Sequence, residues 1–272
     1  MIDYQQLCTQ VCQLAQSTGQ YLLHERQQVG QVASQSKGIH DYVTAFDKES
    51  ERRIVSQLKT LLPQSGFIAE EGTAGQTGAE PYIWIVDPLD GTTNYIHGLP
   101  VTCVSIGLYH NQGNGAGKMV MGVIYEIWAQ ECFYAYEGGS GAYCNGKPIH
   151  VSQPATMNDA LIATGFPYTN FSRMRQYMEL LEWTMRNTHG VRRLGSAAAD
   201  LAYVACGRVD GFYEYDLKPY DVAAGAFIVQ MAGGCVCDFS GGQDWLFGRE
   251  IVASNANLFP ELKQVVKEYL FI

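Results

Sequence analysis

The stretch Trp84-Ile85-Val86-Asp87-Pro88-Leu89-Asp90-Gly91-Thr92-Thr93-Asn94 constrains this chain more tightly than any other. Tyr82 to Val86 is apolar and rich in β-formers, which predicts a buried strand running straight into Asp87. Pro88 removes a donor and predicts a turn. Asp90 follows three residues after Asp87, so both carboxylates can face one point. Gly91 then permits an unusual backbone angle or the close approach of a ligand. The amides of Gly91, Thr92 and Thr93 would point at an anion if a helix starts there. Two hard carboxylates on a turn beside exposed amides suit Mg²⁺ plus phosphate. The competing reading is an Asp-capped turn that closes a hairpin.

Further carboxylates favour the first reading. Glu70 and Glu71 end a strand-like piece, Gly66 to Glu71, and adjoin a Gly-, Thr- and Ala-rich segment from Gly72 to Glu80 that reads as a mobile loop. Taken alone, two adjacent acids at a strand end are solvated surface. Asp221, in Lys218-Pro219-Tyr220-Asp221-Val222-Ala223-Ala224-Gly225, reads first as a helix N-cap, a role compatible with presenting an oxygen to a metal. Asp47, ahead of a second helix, has the same N-cap reading.

The composition narrows the class. With 272 residues, 47% apolar and 17% charged, the chain has the material for one sizeable domain or two fused halves. A net charge of −9 argues against binding a nucleic-acid backbone. It also means that a phosphorylated substrate needs intervening cations. No run reaches the ~18 apolar residues of a membrane helix. The N-terminus lacks a basic start and an apolar stretch, which predicts no signal peptide. The eight cysteines are expected to be reduced; Cys8 with Cys12 on a helix, and Cys235 with Cys237 on a strand, read as core residues without zinc spacing. Cysteine-phosphatase, Asp-X-Asp and P-loop patterns are missing. The glycines of 113–117 and 138–141 read as turns, and His97 alone among the histidines lies close enough to line a site.

Periodicity predicts helices over the first thirty residues, with Gly30 as the stop, and over Lys48 to Leu62. Strands at Val101–Tyr109, Val120–Ile127 and Glu131–Tyr136 follow Tyr82–Val86 as an antiparallel meander. A soft boundary near His150 to Asn158 divides residues 1–150 from 151–272. Beyond it, strands at Leu161–Gly165, Val209–Tyr215, Cys235–Phe239 and Ile251–Ala253 alternate with helices at Arg173–Arg186, Ala197–Cys206, Val222–Met231 and Pro260–Leu270. The pattern is a layered α+β architecture.

The string from Asp87 to Asn94, with Glu70-Glu71 upstream and Asp221-Val222-Ala223-Ala224-Gly225 downstream, resembles the inositol monophosphatase family. The likeness covers nearly the whole chain, from Lys37 through Asp41-Tyr42-Val43-Thr44 and Asp47 to Gly195-Ser196-Ala197-Ala198. Tyr220 stands where the family more often has Trp. The resemblance implies a layered αβαβα sandwich, with an antiparallel sheet half followed by a mixed sheet half. It implies that Glu70, Asp87 and the Leu89 carbonyl hold one Mg²⁺, that Asp87, Asp90 and Asp221 hold a second, and that Glu70 assists a third. Thr92, paired with Asp47, would orient or deprotonate the attacking water. The amides of Gly91 and Thr92 would hold phosphate, while Glu214 and Gly195-Ser196-Ala197 would contact substrate hydroxyls.

The implied activity is Mg²⁺-dependent hydrolysis of a small phosphate monoester, inositol monophosphate foremost, by activated water without a covalent intermediate. A sugar bisphosphate such as fructose 1,6-bisphosphate, or the 3′-phosphate of an adenosine bisphosphate, would use the same chemistry. Glu214 favours a polyhydroxyl substrate, and Arg192 and Arg193 keep the nucleotide open. A non-catalytic metal- and anion-binding regulatory protein is the reading from another class. Lithium inhibition, a homodimer, and a cytoplasmic protein engaging neither nucleic acid nor membrane complete the expectation.

Overall fold

Local sequence rules account for most elements of the computed structural model, which describes residues 2–29, 33–38, 41–75, 80–113 and 116–271. Helix α1 (Tyr4–Gln28) buries Leu7, Val11, Leu14, Thr18 and Leu22 along one stripe and opens on Asp3, whose side chain accepts from the Gln6 amide. Gly30, the expected stop, lies outside the described residues. A hairpin not anticipated from the sequence, β1 (Ser34–Gly38) and β2 (Asp41–Thr44), leads into α2 (Ala45–Leu61). That helix starts three residues before the expected Lys48, because Thr44 is its N-cap. Asp47 is therefore not the cap but its partner. The Thr44 hydroxyl accepts from the amides of Phe46 and Asp47, and the Asp47 carboxylate accepts from the Thr44 amide.

Next come β3 (Gly66–Ala69), β4 (Tyr82–Asp90), α3 (Thr92–His97), β5 (Cys103–Gly113), β6 (Ala116–Glu126), β7 (Glu131–Tyr136), β8 (Ala142–Cys144) and β9 (Lys147–Ile149). The seven strands β3 to β9 lie in sequence order in one sheet. The meander from β4 to β9 is antiparallel as expected, but β3 joins β4 in parallel, so this sheet is not uniformly antiparallel. The second half contains β10 (Leu161–Thr164), α4 (Met174–Asn187), β11 (Gly190–Arg192), α5 (Ala197–Ala205), β12 (Gly211–Tyr215), α6 (Pro219–Met231), β13 (Gly234–Cys237), β14 (Glu250–Asn255) and α7 (Phe259–Leu270). Its sheet, ordered β11-β10-β12-β14-β13, mixes parallel and antiparallel pairs.

The layers run α1/α2, first sheet, α5/α6, second sheet, α4/α7, giving an αβαβα sandwich. Helix α6 is apolar all round, from Val222 to Val229, because it has a sheet on each side. It presses on the first sheet closely enough that a Cβ at Gly122 would sit 2.5 Å from the Ala224 carbonyl oxygen. This approach brings the first turn of α6, and with it Asp221, to the end of β4. Cys8, Cys12 and Cys237 are buried, as read, whereas Cys235 is only half-buried. Among the described residues, no helix is long and apolar enough to cross a membrane.

Candidate active site

The strand β4 does not stop at Pro88, as the sequence suggested, but carries through to Asp90. Asp87 faces Ser105 on β5 and Asp90 faces Cys103, so β4 holds one residue more than its partner across this interval. Such a bulge tolerates a proline, which has no amide to offer the ladder. It also lets Asp87 and Asp90 point to the same place. The Asp87 Oδ1 accepts from the Leu89 amide at 2.9 Å, which fixes the bulge from inside. Gly91 then turns the chain at φ +88° and caps α3. A Cβ there would meet the Val101 oxygen at 3.0 Å and the Gly195 oxygen at 3.2 Å. Gly91→Ala is therefore expected to cost about 2 kcal/mol or more, through the left-handed backbone and the crowding together, read as a lower urea midpoint.

Three carboxylates converge on this point. Oxygens of Asp87, Asp90 and Asp221 all lie within 4.8 Å of one another. Asp221 is three residues inside the start of α6 and not at the cap itself, which is Lys218. Its Oδ2 accepts from the Lys218 amide at 2.6 Å, so one carboxylate both closes the helix end and joins the cluster. Asp90 Oδ2 accepts from the Ser196 hydroxyl at 2.6 Å and the Ala198 amide at 2.7 Å. Ser196 is also the N-cap of α5, accepting from the Ala199 amide at 3.2 Å, so its oxygen ties Asp90 to that helix end. Burial, then the charges of Glu70, Asp90 and Asp221, push the Asp87 carboxyl well above its ordinary range. Burial, then the Asp90 charge, does the same to Asp221. Asp90 is pushed up by burial to about 6, held back by the Ser196 and Ala198 bonds. Hard oxygen donors, Asp87 buried and Asp90 and Asp221 half-buried, convergent and mutually repelling, fit a divalent cation such as Mg²⁺.

Thr92, at the start of α3, donates its hydroxyl toward Asp47 Oδ1 and the Leu89 carbonyl, each at 3.0 Å. Asp47 is fully buried, and burial raises its carboxyl against the lowering effect of its Thr44 and Thr92 bonds. Glu70 lines the same cleft and extends the β3–β4 pairing through its amide to the Val86 carbonyl. Glu71 does not line it; its amide donates to Glu51 Oε2 at 2.6 Å. Glu51 also accepts from the Thr73 amide and hydroxyl at 2.6 Å, tethering the segment that follows Glu70 to α2. Sequence reading missed Glu51, although a signal was there: an acid on the face that α2 buries through Ile54 and Leu58.

The opposite wall of the cleft comes from the second half. Gly195, Ser196, Ala197 and Glu214 all line it, as does Tyr220. Glu214, on β12, is buried, and burial outweighs the nearby Arg193 to push its carboxyl to about 8. Arg193 lines the cleft with Tyr168, to whose hydroxyl it donates at 2.8 Å, whereas Arg192 and His97 do not line it. Asp200, on α5, lines it too and was not anticipated.

The model of the inositol monophosphatase family matches residues 3–270. The chain is 39% identical to the inositol-1-monophosphatase of Mesorhizobium japonicum over 258 residues, 95% of each protein. It is 36% identical to the Nus factor SuhB of Pseudomonas aeruginosa over 260 residues, 94% of each. Identity to the fructose-1,6-bisphosphatase/inositol-1-monophosphatase of Thermotoga maritima is 38% over 231 residues, 85% of this chain and 84% of that one. Among solved structures, the extragenic suppressor protein suhB of Bartonella henselae superimposes with a TM-score of 0.84 at 38% identity, covering 94% of this chain and 96% of that one.

Proposed function

The chain belongs to the inositol monophosphatase family, a family of phosphatases, and from that premise we propose that it hydrolyses the phosphate monoester of a small polyol, inositol monophosphate foremost. The observation that carries this reading is the convergence of Asp87, Asp90 and Asp221 within 4.8 Å. Glu70, Asp87, the Leu89 carbonyl, Asp90 and Asp221 are the groups that would hold Mg²⁺, in two or three ions. Bound there, Mg²⁺ supplies Lewis acidity toward phosphate oxygens and water. The Thr92 hydroxyl gives its proton to the hydrogen bond with Asp47, which leaves its lone pairs to accept from a water molecule and aim it at phosphorus. The amides of Gly91 and Thr92, at the turn into α3, would hold the phosphate. Gly195, Ser196, Ala197 and Glu214 form the wall against which the polyol rests. Lithium inhibition, a homodimer and a cytoplasmic setting belong to the same reading.

Two names among the relatives mark the alternatives. The Thermotoga relative supports fructose 1,6-bisphosphate as the second substrate to try. The relatives named Nus factor support a regulatory role as the reading from another class. The deciding experiment measures phosphate release from inositol 1-phosphate, fructose 1,6-bisphosphate and adenosine 3′,5′-bisphosphate, with Mg²⁺, with chelator, and with Mg²⁺ plus Li⁺. Mg²⁺-dependent turnover of the inositol ester, inhibited by Li⁺, is expected. Preference for another ester changes the substrate but keeps the mechanism. A folded protein that turns over none of the three removes the enzymatic reading and leaves the regulatory one.

A further inference from the structure

Two buried carboxylates in the cleft wall take no part in the Asp87–Asp90–Asp221 cluster. Asp200 is 1% exposed and Glu214 is 6% exposed, yet both line the cleft. Among the described residues, no hydrogen bond to either carboxylate is seen, and Asp200 Oδ1 is buried without a partner. Arg193 bears on both electrostatically, and its one side-chain hydrogen bond among the described residues goes to the Tyr168 hydroxyl. Space is cleared for the Glu214 carboxylate by Gly165, where a Cβ would fall 2.0 Å from it. Leaving buried acceptors unmet costs roughly 1–3 kcal/mol each. A cleft that keeps two of them side by side is short of hydrogen-bond donors, and a ligand can bring them. A polyol brings several, uncharged and on adjacent carbons.

We propose that Asp200 is a specificity-determining residue, accepting a substrate hydroxyl beside the one that Glu214 accepts. The inference rests on the reading of the protein as a phosphatase of polyol esters and adds to it a second acceptor. The bland account is that Asp200 merely sits in the first turn of α5, where the helix dipole favours an acid. The two accounts separate by substrate. A dipole role affects all esters alike, whereas an acceptor affects only those with a hydroxyl to give. A site built to bond a hydroxyl discriminates strongly against the analogue that lacks it.

The test compares kcat/KM for inositol 1-phosphate with that for cyclohexyl phosphate, which has the ring and no hydroxyls, in the wild-type protein, Asp200→Ala and Asp200→Leu, neither of which leaves a side-chain acceptor. The wild type is expected to prefer the inositol ester. In both variants that preference is expected to fall by about 10-fold or more, chiefly through KM for the inositol ester. The leucine variant, close to aspartate in shape, serves if the alanine variant folds poorly. Preference unchanged in the folded variants, or equal loss on both esters, overturns the role of Asp200 and leaves the phosphatase standing. Absence of Mg²⁺-dependent turnover of either ester by the wild type overturns both.

Discussion

Asp90→Asn is expected to lower kcat/KM for Mg²⁺-dependent phosphate release by about a thousandfold or more, a loss of about 4 kcal/mol at the transition state. The fold is expected to survive, and the metal-free variant to melt no lower than the wild type. The first half of this follows from charge. Asp90 is one of three carboxylates within 4.8 Å, and an amide in its place removes a hard anionic ligand from the cluster. The second half follows from its hydrogen bonds. The Ser196 hydroxyl and the Ala198 amide both donate to Asp90 Oδ2, and an asparagine carbonyl can accept from both, so the start of α5 keeps its tie to β4. Stability gains from the lost charge, because Asp87 and Asp221 both feel Asp90 as a repulsive neighbour. Gain of stability with loss of function is what a cluster held together against its own repulsion should show. Phosphate-release kinetics and a thermal melt in chelator read the two effects separately. Activity within tenfold of the wild type would place the reaction elsewhere in the cleft.

The chemistry at Asp87 to Thr92 was legible because all of it is local: a strand signal, a proline, two acids and a glycine within eleven residues. What the proline does there was not. A proline at a strand end and a proline in a bulge look alike until the partner strand is placed, and the pairing of Asp87 with Ser105 and Asp90 with Cys103 is a long-range fact. The parallel pairing of β3 with β4 was hidden for the same reason, since no local pattern distinguishes it from a hairpin. Thr92 and Asp47 meet across 45 residues, a contact that only the family resemblance suggested. Helix boundaries slipped where a cap was misread: Thr44, not Asp47, opens α2, and Lys218, not Asp221, opens α6. Asp200 escaped because an acid in the first turn of a helix has an ordinary explanation. Only the packing of α5 between two sheets turns that side chain into the cleft wall. The apolar circumference of α6 is explained by the sheet on each side of it, which only the packing reveals.

In chelator, the melting temperature is expected to fall as pH rises from 5 to 8, and Mg²⁺ is expected to restore more of it at pH 8 than at pH 6. The carboxyls of Asp90 and Glu214 are pushed up to about 6 and about 8, against an unfolded value near 4. Asp87, Asp221 and Asp200 are raised in the same direction by burial and by one another. A group whose folded pKa is raised binds its proton more tightly in the native state. Its contribution is therefore fully present below the unfolded value and is lost as pH climbs through the folded one. For Asp90 alone the shift corresponds to on the order of 3 kcal/mol in all, about half of it lost above pH 5, or roughly 3–5 °C in a chain of this length. Asp216 and Asp238 work the other way, their carboxyls being lowered by hydrogen bonds despite burial. Their stabilisation is complete above about pH 4 and leaves the slope from 5 to 8 untouched. A cation requires the cluster deprotonated, so its binding and the resulting stabilisation strengthen over the same window. Asp90→Asn removes one of the titrating groups and should flatten the chelator curve between pH 5 and 7. A wild-type curve that is flat or rising from pH 5 to 8 would mean that the carboxylates are not packed against one another in the unliganded protein. The argument for a cation at this point in the cleft would then lose its physical basis.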